Sequence, residues 1–166
     1  KFEVERLSGV DLMLALCRKA AQNHWRVMLL GGKPGVVEAA ANNLTMKQCN
    51  NVTMKFSSGS PDISHESFQE REKIIKEINS FHPHLLFVAY GAPWQEKWIA
   101  RNLPQLKVNV AMGVGGAFDY LSGKVPRPPK IARDLGLEWL WRLILQPWRV
   151  KRQLALLKFV WLVTKK

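Results

Sequence analysis

"HLLFVAYGAPWQEKWIARN", residues 84–102, is the stretch from which the fold is read. An apolar run of strand length meets Gly91, Ala92 and Pro93, and a helix carrying Gln95, Glu96, Lys97 and Arg101 opens directly behind them. A loop that only connects two elements rarely gathers so many polar groups beside two tryptophans, Trp94 and Trp98. The stretch therefore reads as strand, ligand loop, helix, with the loop at the strand's carboxyl end.

The same alternation extends outward on both sides. "LSGVDLMLALCRKAAQNH" reads as a helix with Ser8 in the N-cap position and Asp11 three residues on. "RVMLLGG" reads as a strand ending in glycines, and "KPGVVEAAANNL" as the next helix with Pro34 in its first turn. "NVTMKF" is a second strand, "SSGSPDISHES" a loop by its Ser, Gly and Pro content, and residues 66–81 a charged amphipathic helix. "VNVAMGVGG" is a further strand ending in glycines. Strands alternating with helices predict an α/β fold: a Rossmann-like, mostly parallel sheet with helices on both faces, followed by a C-terminal amphipathic helical appendage. The expected division is an α/β domain over residues 1–125 and a basic helical appendage over 126–166.

Three strand ends carry glycines: Gly31-Gly32, Gly91, and Gly113 with Gly115-Gly116. Glycines let backbone approach a phosphate, and a following helix offers free N–H groups to an anion, with Lys33 adding a point charge. A tight turn with no ligand accounts for Gly31, Gly32 and Gly35 equally well. "GVGGAF" is not a dinucleotide fingerprint, because residue 118 is Phe, and no P-loop pattern occurs. Gln95 is placed to hydrogen-bond a sugar or a base edge. Asp119 reads either as a ligand to hydroxyls or as a helix cap. Trp94 and Trp98 lie four apart on one helical face, a spacing that more often packs than stacks a ligand. The histidines, at 24, 65, 82 and 84, show no metal-ligand spacing and are expected on the surface. Cys17 and Cys49 form no disulfide framework and are expected as free thiols in a reducing cytosol.

Charge is uneven along the 166 residues. Of a formal net charge of +12, +9 falls from Gly123 onward, where eleven Lys and Arg face only Asp134 and Glu138. Four of the seven tryptophans lie there too (139, 141, 148 and 161), which points to an anionic partner, nucleic acid or membrane. No apolar run reaches the roughly 18–20 residues that span a bilayer. The segment breaks at Pro147; beyond it Val150, Leu154, Leu157 and Trp161 make an apolar stripe flanked by Arg149, Lys151, Arg152 and Lys158. A basic amphipathic helix with tryptophans suits the headgroup layer of an anionic membrane, lying on it rather than crossing it.

"ERLSGVDL", "VMLLGGKPGV", "LLFVAYGAPWQEKWIARN", "VAMGVGGAFDYLSGKVPRPPK" and "LGLEWLWRL" occur in the order in which the WecG/TagA/CpsF family of bacterial glycosyltransferases carries its motifs. The chain resembles that family through nearly its whole length. The resemblance implies an inverting transferase that uses no metal or other cofactor. Its donor would be a UDP-activated sugar of the N-acetylmannosamine type or its uronic acid. Its acceptor would be a polyprenyl-diphosphate-linked N-acetylglucosamine, used in wall teichoic acid, common-antigen or capsule synthesis. It implies a cytoplasmic protein bound peripherally to the inner face of the plasma membrane.

Carried over by motif, the catalytic set is Arg6, Gln95, Arg142, Arg149 and Arg152. The expected donor-nucleotide site is Gly31, Gly32, Lys33, Gly91, Ala92, Pro93, Gln95, Gly113, Gly115, Gly116 and Asp119, with no metal ligand. The family's proposed general base, an aspartate in a segment before the one matching Arg6, has no counterpart here, and the chain opens without Met. That leaves two further expectations, a chain that binds donor but turns over slowly and a fragment of a longer protein. Two other classes of function stay open on the residues alone: a basic nucleic-acid binder, disfavoured because no recognised module is present, and an inactive UDP-sugar-binding fragment. An apolar tail detached from lipid also leaves a homo-oligomer open.

Overall fold

The computed structural model describes residues 8–129, 131–132, 135–147 and 161. The chain divides into two compact units, Lys1–Lys124 and Val125–Lys166.

The first unit is built on a four-stranded, all-parallel sheet in the order β2-β1-β3-β4. The strands are β1 (Arg26–Gly31), β2 (Thr53–Ser57), β3 (Leu85–Ala89) and β4 (Val110–Gly113). β1 pairs with β2 from Arg26↔Thr53 to Leu30↔Ser57 and with β3 from Val27↔Leu85 to Gly31↔Ala89. The near-continuous apolar sequence of β1 and β3 follows from this position, since a central parallel strand is covered on both faces. Val27, Leu29, Leu85 and Phe87 face one core, with helices α1 (Gly9–Gln22), α2 (Val36–Lys47) and α5 (Ala117–Leu121). Met28, Leu30, Leu86 and Val88 alternate to the other core, shared with α3 (Phe68–Phe81) and α4 (Trp94–Asn102).

The distribution of helices follows from handedness. The β1-to-β2 crossover moves outward on one side, whereas the crossovers from β2 to β3 and from β3 to β4 move the opposite way. Right-handed connections then put α2 on one face and α3 and α4 on the other.

Local chemistry sets the helix starts. Ser8 caps α1 by accepting from the Asp11 N–H at 3.2 Å. Ser67 and Glu70 form a reciprocal capping box that starts α3 at Phe68, two residues later than its sequence suggests. α2 also starts later. Gly35, at φ 73°, is its N-cap and Val36 its first residue, so Pro34 lies in the turn before the helix and not in its first turn.

In the second unit, helix α6 (Glu138–Leu145) ends just before Pro147, and Trp141 Nε1 donates to the Pro126 carbonyl at 3.2 Å. Leu137, Trp139, Leu140 and Ile144 are exposed around it. Of the expected apolar stripe only Trp161 is described, and it is exposed; Val150, Leu154 and Leu157 lie outside the described residues.

Candidate functional site

The strand order creates one switch point. β1 and β3 are neighbours, yet the chain leaving β1 turns toward β2 and the chain leaving β3 turns toward β4. In doubly wound sheets ligands enter the crevice at the carboxyl ends of such a pair. The glycine turn after β1 and the Gly91 loop after β3 are the two loops found there. They are tied together, because Gly32 N–H donates to the Ala89 carbonyl at 3.2 Å.

Gln95 organises the opposite side of the crevice. It is the second residue of α4, behind the cis Ala92–Pro93 peptide, and is buried. Its Oε1 accepts from Gly91 N–H at 3.2 Å and from Gly115 N–H at 2.9 Å, while its Nε2 donates to Glu96 Oε1 at 2.7 Å. One amide oxygen thereby joins the β3 loop to the β4 loop. Gly113 is part of the same fit: a Cβ there would lie 2.9 Å from Gln95 Nε2. Gly91, Gly113, Gly115 and Gln95 are thus brought together, and Gln95 turns back onto the backbone instead of projecting free from its helix.

The remaining predicted residues are distributed as follows. Gly31 and Gly32 form the β1 turn with φ 92° and 82°, and Lys33 is exposed beside them. Ala92 and Pro93 form the exposed corner before α4. Gly116 is the N-cap of α5 and Asp119 lies in that helix's first turn, so of the two roles read for Asp119 the cap belongs to Gly116. Arg142 is on α6, in the second unit. Arg6, Arg149 and Arg152 lie outside the described residues.

Trp94 and Trp98 separate: Trp94 is exposed with Lys97 Nζ 5.4 Å from its ring centroid, and Trp98 is buried. His84 departs from the surface role, being half-buried, stacked on Trp25 at 6.3 Å and accepting the Arg26 N–H at Nδ1. Cys17 and Cys49 are free and buried. Among the described residues no three His, Cys, Asp or Glu side chains gather as a metal site.

A cluster not singled out in the sequence adjoins the crevice. The Tyr90 hydroxyl accepts from Ser60 N–H at 3.4 Å, and its ring meets Trp98 edge-on at 5.8 Å. Trp98 Nε1 donates to Glu66 Oε1 at 2.9 Å. Burial raises the Tyr90 hydroxyl above its ordinary pKa. Burial also raises the Glu66 carboxyl, opposed by the Trp98 hydrogen bond and by Arg71 and Arg101 nearby. The available signal was "SGSPDISHE" itself, a glycine-bearing loop at the end of another strand, subject to the same strand-end rule as the other three.

These features define a doubly wound α/β domain whose glycine loops converge at the switch point. The chain belongs to the Glycosyl transferase WecG/TagA/CpsF family, whose profile matches residues 2–166. It is accordingly a glycosyltransferase of cell-envelope polymer synthesis, acting between a sugar donor and an acceptor. No helix among the described residues is long and apolar enough to cross a membrane.

Proposed function

We propose that the chain transfers N-acetylmannosamine, or its uronic acid, from a UDP-sugar to a polyprenyl-diphosphate-linked N-acetylglucosamine, with inversion and without a metal. The observation that carries this reading is the convergence of Gly91, Gly115 and Gln95 on the β3–β4 side of the switch point of a parallel sheet. The donor diphosphate would lie against the glycine turns beside Lys33, toward the amino end of α2, since the Gly32, Gly91 and Gly115 N–H groups are engaged by Ala89 and Gln95. With its oxygen engaged by two N–H groups and one Nε2 hydrogen donated to Glu96, Gln95 holds the β3 and β4 loops together, and the second hydrogen on Nε2 is what it can offer a ligand.

In the transfer, the acceptor hydroxyl attacks the anomeric carbon opposite the bond to UDP and releases its proton to water. That bond breaks as the new one forms, and negative charge grows on the departing diphosphate. Cationic side chains, with Arg142 a candidate beside Arg6, Arg149 and Arg152, would stabilise that charge in a water-poor site. The exposed Leu137 at the start of α6 and Trp139, Leu140 and Ile144 on it favour a peripheral position on the membrane that holds the lipid acceptor.

The test is UDP release from UDP-N-acetylmannosamine, with and without polyprenyl-diphosphate-linked N-acetylglucosamine in vesicles of anionic lipid. Acceptor-dependent release, lost in Gln95→Ala and insensitive to EDTA, is the expected result. Release that ignores the acceptor, or that proceeds equally in Gln95→Ala, contradicts the assignment.

A further inference from the structure

We propose that Tyr90 is a positioning residue of the donor site, holding the loop after β2 (residues 58–67) against the β1 glycine turn so that this loop forms the wall facing the nucleoside. The inference rests on the donor reading above and adds a residue and a division of labour to it: glycine turns for the diphosphate, the clamped loop for the nucleoside.

Tyr90 is the first residue after β3, and its ring reaches across two neighbouring strand ends. A Cβ on Gly31 would stand 3.0 Å from Tyr90 Cδ1, and one on Gly59 would overlap the Tyr90 hydroxyl and lie 2.8 Å from Cζ. Both glycines have positive φ, 92° and 66°, so backbone conformation and the ring's proximity select glycine at each. From its place just after β3, one aromatic side chain thus packs against the end of β1 and the loop that leaves β2.

The clamp has a second jaw. Trp98, packed edge-on against Tyr90, donates to Glu66 at the far end of the same loop. The loop is therefore held near both of its ends by aromatic residues of the β3–α4 segment. Between those anchors Asp62 and Ser64 are bonded to each other and to His65, which leaves Ser60 as the side-chain hydroxyl with capacity to spare for a ribose or a base edge. Ser60 adds an independent sign: its Oγ is buried and has no hydrogen-bond partner among the described residues. A buried hydroxyl left in that state loses its hydration without replacement, a cost that a ligand hydroxyl or an ordered water recovers.

The test titrates UDP and inorganic diphosphate separately into the full chain by calorimetry, with thermal unfolding recorded in parallel. The variants are Gly59→Ala, Tyr90→Phe, their combination, and Gly123→Ala. Gly123 also has positive φ (79°), but no atom stands within 4 Å of where its Cβ would be, so its variant isolates the backbone cost. The expected result is that Gly59→Ala weakens UDP at least about tenfold while diphosphate changes by less than about threefold. Tyr90→Phe, which removes the hydroxyl that the new methyl strikes, restores part of the loss in the combined variant. Gly123→Ala leaves UDP affinity within about twofold.

Equal loss of UDP and diphosphate would overturn the inference, since a merely structural role moves both. So would UDP affinity in Tyr90→Phe and Gly59→Ala indistinguishable from wild type, or UDP binding no tighter than diphosphate in the wild-type chain. Wild-type protein that is folded and binds neither probe refutes the donor reading itself, and the inference with it.

Discussion

Gln95 and the glycines around it show how much one amide can determine. If Gly113 becomes Ala, the new methyl meets the end of the Gln95 side chain and displaces it from the Gly91 and Gly115 N–H groups. Overpacking of this kind typically costs about 1–3 kcal/mol. Urea unfolding of Gly113→Ala should show a loss in that range, and unchanged stability would mean that the amide moves aside freely. A second residue-scale prediction concerns Asp62, whose carboxyl is held down at about 2 by the Ser64 hydroxyl, His65 and the Ser64 N–H. A depressed carboxylate stabilises fully above its ordinary value near 3.8 and loses that contribution as pH falls through about 2. Carboxyl NMR shifts of Asp62 should titrate near 2, with the Ile63–His65 turn opening over the same range. In Ser64→Ala the midpoint should move up toward the ordinary value.

At the scale of elements, the sequence was legible wherever one physical rule dominated. The strands β1 and β3 announced themselves as short apolar runs because both faces are covered, and Ser8 announced α1 because its hydroxyl has a defined acceptor role. The two late helix starts show where local signals compete. Pro34 is acceptable inside a first turn, but Gly35 takes the left-handed conformation and the helix begins behind it. Glu66 fits a charged helix by composition, yet its carboxylate is engaged by Trp98, a contact between residues 32 apart that no local pattern contains. The capping box gives the corresponding prediction. Ser67→Ala should destabilise the protein by about 0.5–2 kcal/mol, and hydrogen exchange should rise first in the opening turn of α3. Exchange rising uniformly instead would show that the box is not what fixes that helix end.

At the scale of the whole molecule, the parallel sheet followed from the alternation of strands and helices, and the family followed from motifs spread along the chain, whereas the switch point came only with the strand order. The glycine loops were legible as a group because strand ends are where such folds bind ligands. What the sequence did not contain was the direction of Gln95 and the reach of Tyr90, since both depend on which strands become neighbours. The concentration of positive charge and tryptophan from Gly123 onward belongs to this scale as well. With Leu137, Trp139, Leu140 and Ile144 exposed, flotation with anionic vesicles should capture the protein and neutral vesicles should capture less. Equal capture by both would assign the binding to apolar contact alone.

The central claim, that the donor lies at the carboxyl ends of β1 and β3, beside the Gly91 loop that Gln95 ties to the β4 loop, is tested most directly by amide chemical-shift mapping during a UDP titration. The account predicts saturable shifts at Gly32, Gly91 and Gly115, with the largest changes confined to those loops and the loop after β2. Saturable shifts confined to α6 or to the outer face of α3, with the glycine loops unmoved, would contradict it.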